Sequence, residues 1–131
     1  MKILIAEDDF SSRKLIQRIL EPTGQCDVAI NGREAMVAFT EALKQGARYD
    51  LICLDVMMPQ MSGMDVLKAI REEEARLGIG GLDGVKIIMT TCLQGSEDVL
   101  GAFREGCEAY LVKPIDRAQL LNKIKELQTP R

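Results

Sequence analysis

Apolar residues along this chain fall into two alternating rhythms. Short unbroken runs rich in Ile, Val and Leu occur at Lys2 to Ala6, Cys26 to Ile30, Tyr49 to Leu54, Val85 to Met89 and Ala109 to Val112. Runs of that length and composition predict strands buried on both faces of a parallel sheet. Between them the apolar residues recur at helical spacing. Leu15, Ile16, Ile19 and Leu20 form the first stripe, and Ala35, Met36, Phe39, Ala42 and Leu43 the second. Val66, Leu67, Ile70 and Leu77 form the third; Val99, Leu100 and Phe103 the fourth; Leu120, Leu121, Ile124 and Leu127 the last. Asn31 with Glu34 and Asp116 with Gln119 have capping-box spacing, and Ser96 stands before Glu97-Asp98. Gly46 and Gly106 are placed to end the second and fourth helices. The order βαβαβαβαβα predicts an α/β fold, a doubly wound parallel sheet of five strands.

A chain of 131 residues suits one domain with one core, expected to span 1–128 with Thr129-Pro130-Arg131 as a frayed end. Gly78 to Gly84 reads as a flexible glycine-rich connection before the fourth strand. The net charge of −3 and the lack of a Lys/Arg block give no reason to expect nucleic-acid binding. No apolar run approaches membrane-spanning length. Cys26, Cys53, Cys92 and Cys107 have no CxxC spacing and sit beside apolar residues, so they read as reduced core thiols in a cytoplasmic protein. The chain contains no histidine, which removes histidine-based triads, imidazole metal sites and a phosphohistidine of its own. Carboxylates, hydroxyls and lysine must carry any chemistry.

In doubly wound sheets ligands bind outside the carboxyl ends of the strands. The first strand runs into Glu7-Asp8-Asp9, the third into Asp55, the fourth into Thr90-Thr91 and the fifth into Lys113-Pro114. Singly, each is ordinary: a solvated acidic loop, a turn residue, common strand composition, a surface turn. Jointly they would place carboxylates, a hydroxyl and an ammonium in one crevice. Two carboxylates about 4 Å apart repel by ~4 kcal/mol at an effective dielectric near 20, so such a crevice calls for a cation. Hard oxygen ligands suit Mg²⁺, which binds through one or two carboxylates plus phosphate. Lys113 and a threonine hydroxyl could then serve phosphoryl oxygens, leaving Asp55 as a nucleophile for a phosphoryl group.

The motifs ILIAEDD, LDVMMPQMSGMD, IIMTT and YLVKP, in that order, resemble the receiver domains of two-component response regulators, as in the small chemotaxis regulators. The resemblance runs from Lys2 to Leu127 and implies a flavodoxin-like fold with strand order 2-1-3-4-5. It implies Asp55 as the phosphorylated residue and Mg²⁺ as the cofactor, held by Glu7, Asp8, Asp55 and the backbone carbonyl of Met57. A shift by one residue would nominate Asp8 and Asp9 as the acidic pair instead of Glu7 and Asp8. Thr91 would be the switch hydroxyl, Tyr110 the aromatic switch, and Lys113, before a cis Pro114, the phosphate-binding lysine. Pro59 and Gly63 would shape the loop after Asp55. By composition alone Met57-Met58 reads as core filler. Met57 and Leu93 would flank the approach of a hydrolytic water, and their apolar character implies slow self-dephosphorylation.

The partners implied are a sensor histidine kinase or phosphotransfer protein upstream and an effector protein downstream, read through helix 4, strand 5 and helix 5. The protein would be a monomer or a phosphorylation-dependent dimer, acting without nucleic acid or membrane. An aspartate-nucleophile phosphatase would need a second acid two residues after Asp55, where Met57 stands. A nucleotide-binding protein would want a phosphate-cradling loop after the first strand, where the acids would repel it, and no GxxxxGK[ST] occurs. A receiver-like interaction module that is not phosphorylated is the remaining alternative.

Overall fold

The computed structural model describes residues 1–80, 83–92 and 96–128, those at 96–98 by backbone alone. Five strands, β1 (Lys2–Ala6), β2 (Gln25–Ala29), β3 (Leu51–Asp55), β4 (Lys86–Thr91) and β5 (Ala109–Val112), pair in parallel in the order β2-β1-β3-β4-β5. Five α-helices follow them in turn: α1 (Phe10–Leu20), α2 (Gly32–Lys44), α3 (Gly63–Arg76), α4 (Ser96–Glu105) and α5 (Arg117–Gln128). The doubly wound five-stranded parallel sheet predicted from the apolar rhythm is the fold, and its strand order is the flavodoxin-like one that the resemblance implied.

Strand alternation divides the core in two. Leu4, Ala6, Ile52, Leu54, Ile87 and Met89 pack against α2, α3 and α4 through Phe39, Leu67, Ile70 and Ala102. Ile3, Ile5, Leu51, Cys53, Ile88 and Leu111 pack against α1 and α5 through Ile16, Leu20, Leu120 and Ile124. Caps fix the helix starts: Asn31 accepts from Glu34 N, Ser62 from Asp65 N and Asp116 from Gln119 N. Gly46 and Gly106, at φ 69° and 109°, follow the ends of α2 and α4, as their spacing implied.

Several expectations are corrected. β3 ends on Asp55 as read but starts at Leu51, two residues after the run begins, and β4 extends through Thr91, two residues beyond its apolar run, because the sheet ladder continues under polar side chains. β2 is an edge strand and is not buried on both faces: Val28 is exposed and Cys26 half-buried. Leu15, Leu77, Leu100 and Phe103 leave their helical stripes for solvent, and among the described side chains of α4 the buried one is Ala102. All four cysteines are free, but Cys92 is exposed and only Cys53 and Cys107 are buried. Leu93, Gly81, Leu82, the side chain of Ser96 and residues 129–131 lie outside the described residues.

One ionic knot was not anticipated. Arg71 on α3 donates to Gly106 O at 2.8 Å and to Glu108 at 2.7 Å, and pairs with Glu74 at 2.7 Å. Glu74 is buried and its other oxygen accepts from Val85 N at 2.7 Å. The knot ties α3 to the turn between α4 and β5 and to the start of β4. Arg71→Ala would strand a buried carboxylate, so it is expected to lower unfolding free energy by about 3 kcal/mol in urea denaturation. A loss below about 0.5 kcal/mol would mean that water takes over the role of Arg71.

Candidate functional site: an acidic crevice closed by a lysine

The carboxyl ends of β1, β3 and β5 converge where the sheet order reverses between β1 and β3, the usual ligand position of such sheets. Glu7 follows β1 directly and its N–H donates to Ala29 O, extending the β1 geometry by one residue. Its side chain is fully buried. Asp55 is the last residue of β3, 3% exposed, with Thr90 as its register partner on β4. Asp8 is exposed at the rim. Carboxylate oxygens of Glu7, Asp8 and Asp55 lie within 4.8 Å of one another.

Lys113, just past β5, reaches across these acids. Its ammonium contacts Glu7 Oε1 and lies 3.4 Å from Asp55 Oδ2. Glu7 Oε1 is buried, and the ion pair with the Lys113 ammonium is the contact that compensates it. The other oxygen, Oε2, accepts from Asp9 N at 3.1 Å. Burial pushes the Asp55 carboxyl up, the neighbouring Glu7 carboxylate pushes it further, and Lys113 only partly offsets them. The pKa rises from an ordinary 3.8 to about 7. Burial works against the charge on Lys113, but Glu7 and Asp55 outweigh it and hold its pKa above the usual value.

The remaining nominated residues fall around this centre. Thr91 is buried one residue beyond Thr90, and alternation puts it on the α2–α3–α4 face with Met89 and Tyr110. Its carbonyl accepts from Lys113 N at 2.7 Å, tying the two positions through the backbone. Tyr110 on β5 is half-buried against the same core. The Lys113–Pro114 peptide is cis. Met57 N donates to Asp55 Oδ1 at 3.3 Å, while the Met57 side chain is exposed, contrary to its reading as core filler; Met58 does pack on the core. Pro59 O accepts from Met61 N, and Gly63 N donates to Val56 O at 2.8 Å. A Cβ on Gly63 would lie 2.0 Å from the carbonyl oxygen of Asp55, so only glycine lets α3 start this close to the end of β3.

Two residues were missed or misread in the sequence. Asp9, weighed as part of an acidic pair, instead caps α1 by accepting from Ser12 N at 2.9 Å. The Asp-x-x-Ser spacing before an apolar stripe was the available signal. That leaves Glu7 and Asp8 facing the crevice. Arg13 went unnoticed; it donates to the carbonyls of Glu7 and Asp8 at 3.0 and 3.3 Å.

The fold is a five-stranded doubly wound α/β domain with two buried acids, an exposed one and a lysine gathered at its switch point. The family model of the response regulator receiver domain matches residues 3–125, and the chain belongs to that family. Its members are phosphoacceptor signalling switches, generally not enzymes. Among curated proteins the chain is similar to the transcriptional regulatory protein ResD of Bacillus subtilis, 34% identical across 96% of this chain and 47% of ResD. It is also similar to hybrid signal transduction histidine kinase L of Dictyostelium discoideum, 32% identical across 95% of this chain and 7% of the kinase. The chain thus spans less than half the length of either relative. Among solved structures it resembles the CheX–CheY complex with BeF3 and Mg²⁺ from Borrelia burgdorferi, with a TM-score of 0.84 and 25% identity over 99% of this chain and 90% of that one. It likewise resembles a mutant receiver domain of the histidine kinase CKI1 from Arabidopsis thaliana, with a TM-score of 0.82 and 27% identity over 98% and 90%. No helix among the described residues is long and apolar enough to cross a membrane.

Proposed function

We propose that Asp55 accepts a phosphoryl group from the phosphohistidine of a sensor histidine kinase or phosphotransfer protein in a Mg²⁺-dependent reaction. The observation that carries this reading is the meeting of three carboxylates within 4.8 Å of one another, one of them with a buried oxygen compensated by its ion pair with Lys113. Hard oxygen donors with unsatisfied capacity fit Mg²⁺, which would be held by Glu7, Asp8, Asp55 and the Met57 carbonyl. When bound, the ion neutralises negative charge that develops on the transferring group.

The residues of the chain do the rest. A P–O bond forms to the Asp55 carboxylate as the P–N bond to the donor imidazole breaks, the electron pair leaving with nitrogen. Lys113 moves its charge from Glu7 to a phosphoryl oxygen, and the Thr91 hydroxyl donates to another. Drawing Thr91 inward vacates space on the α4 side of the sheet for Tyr110, so the surface of α4, β5 and α5 changes shape for an effector protein. Exposed Leu100 and Phe103 on α4 supply that surface with apolar contact. The domain works as a cytoplasmic monomer or as a phosphorylation-dependent dimer. It assists its own phosphoryl transfer and dephosphorylation.

Incubation with acetyl phosphate and Mg²⁺ is expected to add one phosphoryl group by intact mass, and omitting Mg²⁺ or introducing Asp55→Asn is expected to abolish it. Labelling that persists in Asp55→Asn would move the acceptor elsewhere. Failure of the native chain to label would favour a receiver-like module that is not phosphorylated.

A further inference from the structure

We infer that Arg13 is a positioning residue for the metal ligands, setting the geometry of Glu7 and Asp8 without touching the ion or the phosphoryl group. The inference rests on the Mg²⁺ reading of the crevice. Glu7 N makes the last bond of β1 to β2, and from there the chain must turn from the sheet into α1 within a few residues. In that turn the carbonyls of Glu7 and Asp8 both accept from one nitrogen of Arg13, at 3.0 and 3.3 Å. The two hydrogens of a single guanidinium nitrogen therefore span consecutive peptide units. These are the units from which the two acidic side chains project.

The same turn is held from its other side. Asp9 N donates to Glu7 Oε2, and Asp9 in turn accepts from Ser12 N to start α1. Arg13 sits on the first turn of that helix and folds back, its guanidinium 5.5 Å from the Phe10 ring centroid. Stacking of this kind restrains a guanidinium plane. The result is a closed loop of contacts running from the Arg13 guanidinium to the Glu7 and Asp8 carbonyls, then through Asp9 back to the helix that carries Arg13. Nothing in it is needed to build the sheet, since β1 is already paired on both sides by β2 and β3. What it fixes is the direction in which two carboxylates leave the backbone. Groups that orient metal ligands from behind typically govern affinity by roughly 10–100-fold.

The test compares Mg²⁺ binding to the full chain by isothermal titration with melting temperature in EDTA and in saturating Mg²⁺. Arg13→Ala is expected to weaken Mg²⁺ by roughly tenfold or more while its melting temperature in EDTA stays close to that of the native chain. Arg13→Lys, which keeps the charge and a terminal donor, is expected to recover part of the affinity. Mg²⁺ affinity of Arg13→Ala within twofold of native would overturn the inference and leave the metal site standing. An equal loss of melting temperature with and without Mg²⁺ would overturn it too, as the mark of a merely structural role. A native chain that does not respond to Mg²⁺ would remove both the site and the inference.

Discussion

Asp55→Asn is expected to melt at least about 5 °C above the native protein in EDTA at pH 8, and to lose most of the stabilisation that Mg²⁺ gives. The gain follows from the crevice. Ionised Asp55 sits 3% exposed beside fully buried Glu7, with one ammonium shared between them. Neutral Asn keeps the shape, removes the repulsion and leaves Lys113 to Glu7. The pH dependence has a definite sign. In the fold Asp55 keeps its proton up to about 7, against an ordinary 3.8. The folded state therefore holds that proton more tightly than the unfolded chain. The resulting stability is fully present below pH ~4 and is lost as pH rises through about 7, amounting to a few kcal/mol. Metal-free native protein should lose stability across that upper range, and Asp55→Asn should not. A variant that melts lower than native in EDTA would contradict the repulsive origin.

Lys113→Ala is expected to act in the opposite direction. It leaves Glu7 Oε1 buried with neither cation nor hydrogen bond, so metal-free stability should fall by about 3 kcal/mol. Added Mg²⁺ should restore part of that loss, because the ion supplies the missing positive charge. Phosphoryl transfer from acetyl phosphate should slow by roughly a hundredfold or more, since a charge aimed at the developing anion is gone. Urea denaturation in EDTA and in Mg²⁺, with labelling rates, separates the two effects. Unchanged metal-free stability would show that Lys113 is not the counter-ion of Glu7.

The two rhythms of apolar residues carried most of the fold, because a parallel sheet buried on both faces leaves so little room for polar residues. β1 and β5 were legible to the residue. β4 was read short because Thr90 and Thr91 are polar, whereas β3 ends on Asp55 as read, in register with Thr90. Polarity marks where the crevice starts, whereas hydrogen bonding decides where the strand stops. β2 was read too apolar, since Val28 in a short run looks the same at an edge as at the centre. The α4 stripe failed for a related reason: periodicity locates an apolar face, but Leu100 and Phe103 face solvent.

At the site, strand ends alone nominated Glu7, Asp55 and Lys113, and the fold brings them together. The unbroken run Ile3 to Ala6 already favoured Glu7/Asp8 over Asp8/Asp9 in the sequence, and the cap at Asp9, a local hydrogen bond that a run of three acids conceals, agrees with that preference. Arg13 and Arg71 were invisible because their partners are mostly backbone carbonyls or acids distant in sequence.

The most direct measurement is a carbon-detected NMR titration of the Asp55 side-chain carboxyl in the metal-free protein. A midpoint near 7 in EDTA, moved several units lower by saturating Mg²⁺, is the predicted result. A midpoint near 4 that Mg²⁺ leaves in place would contradict a buried carboxylate crowded by Glu7 and relieved by a divalent ion.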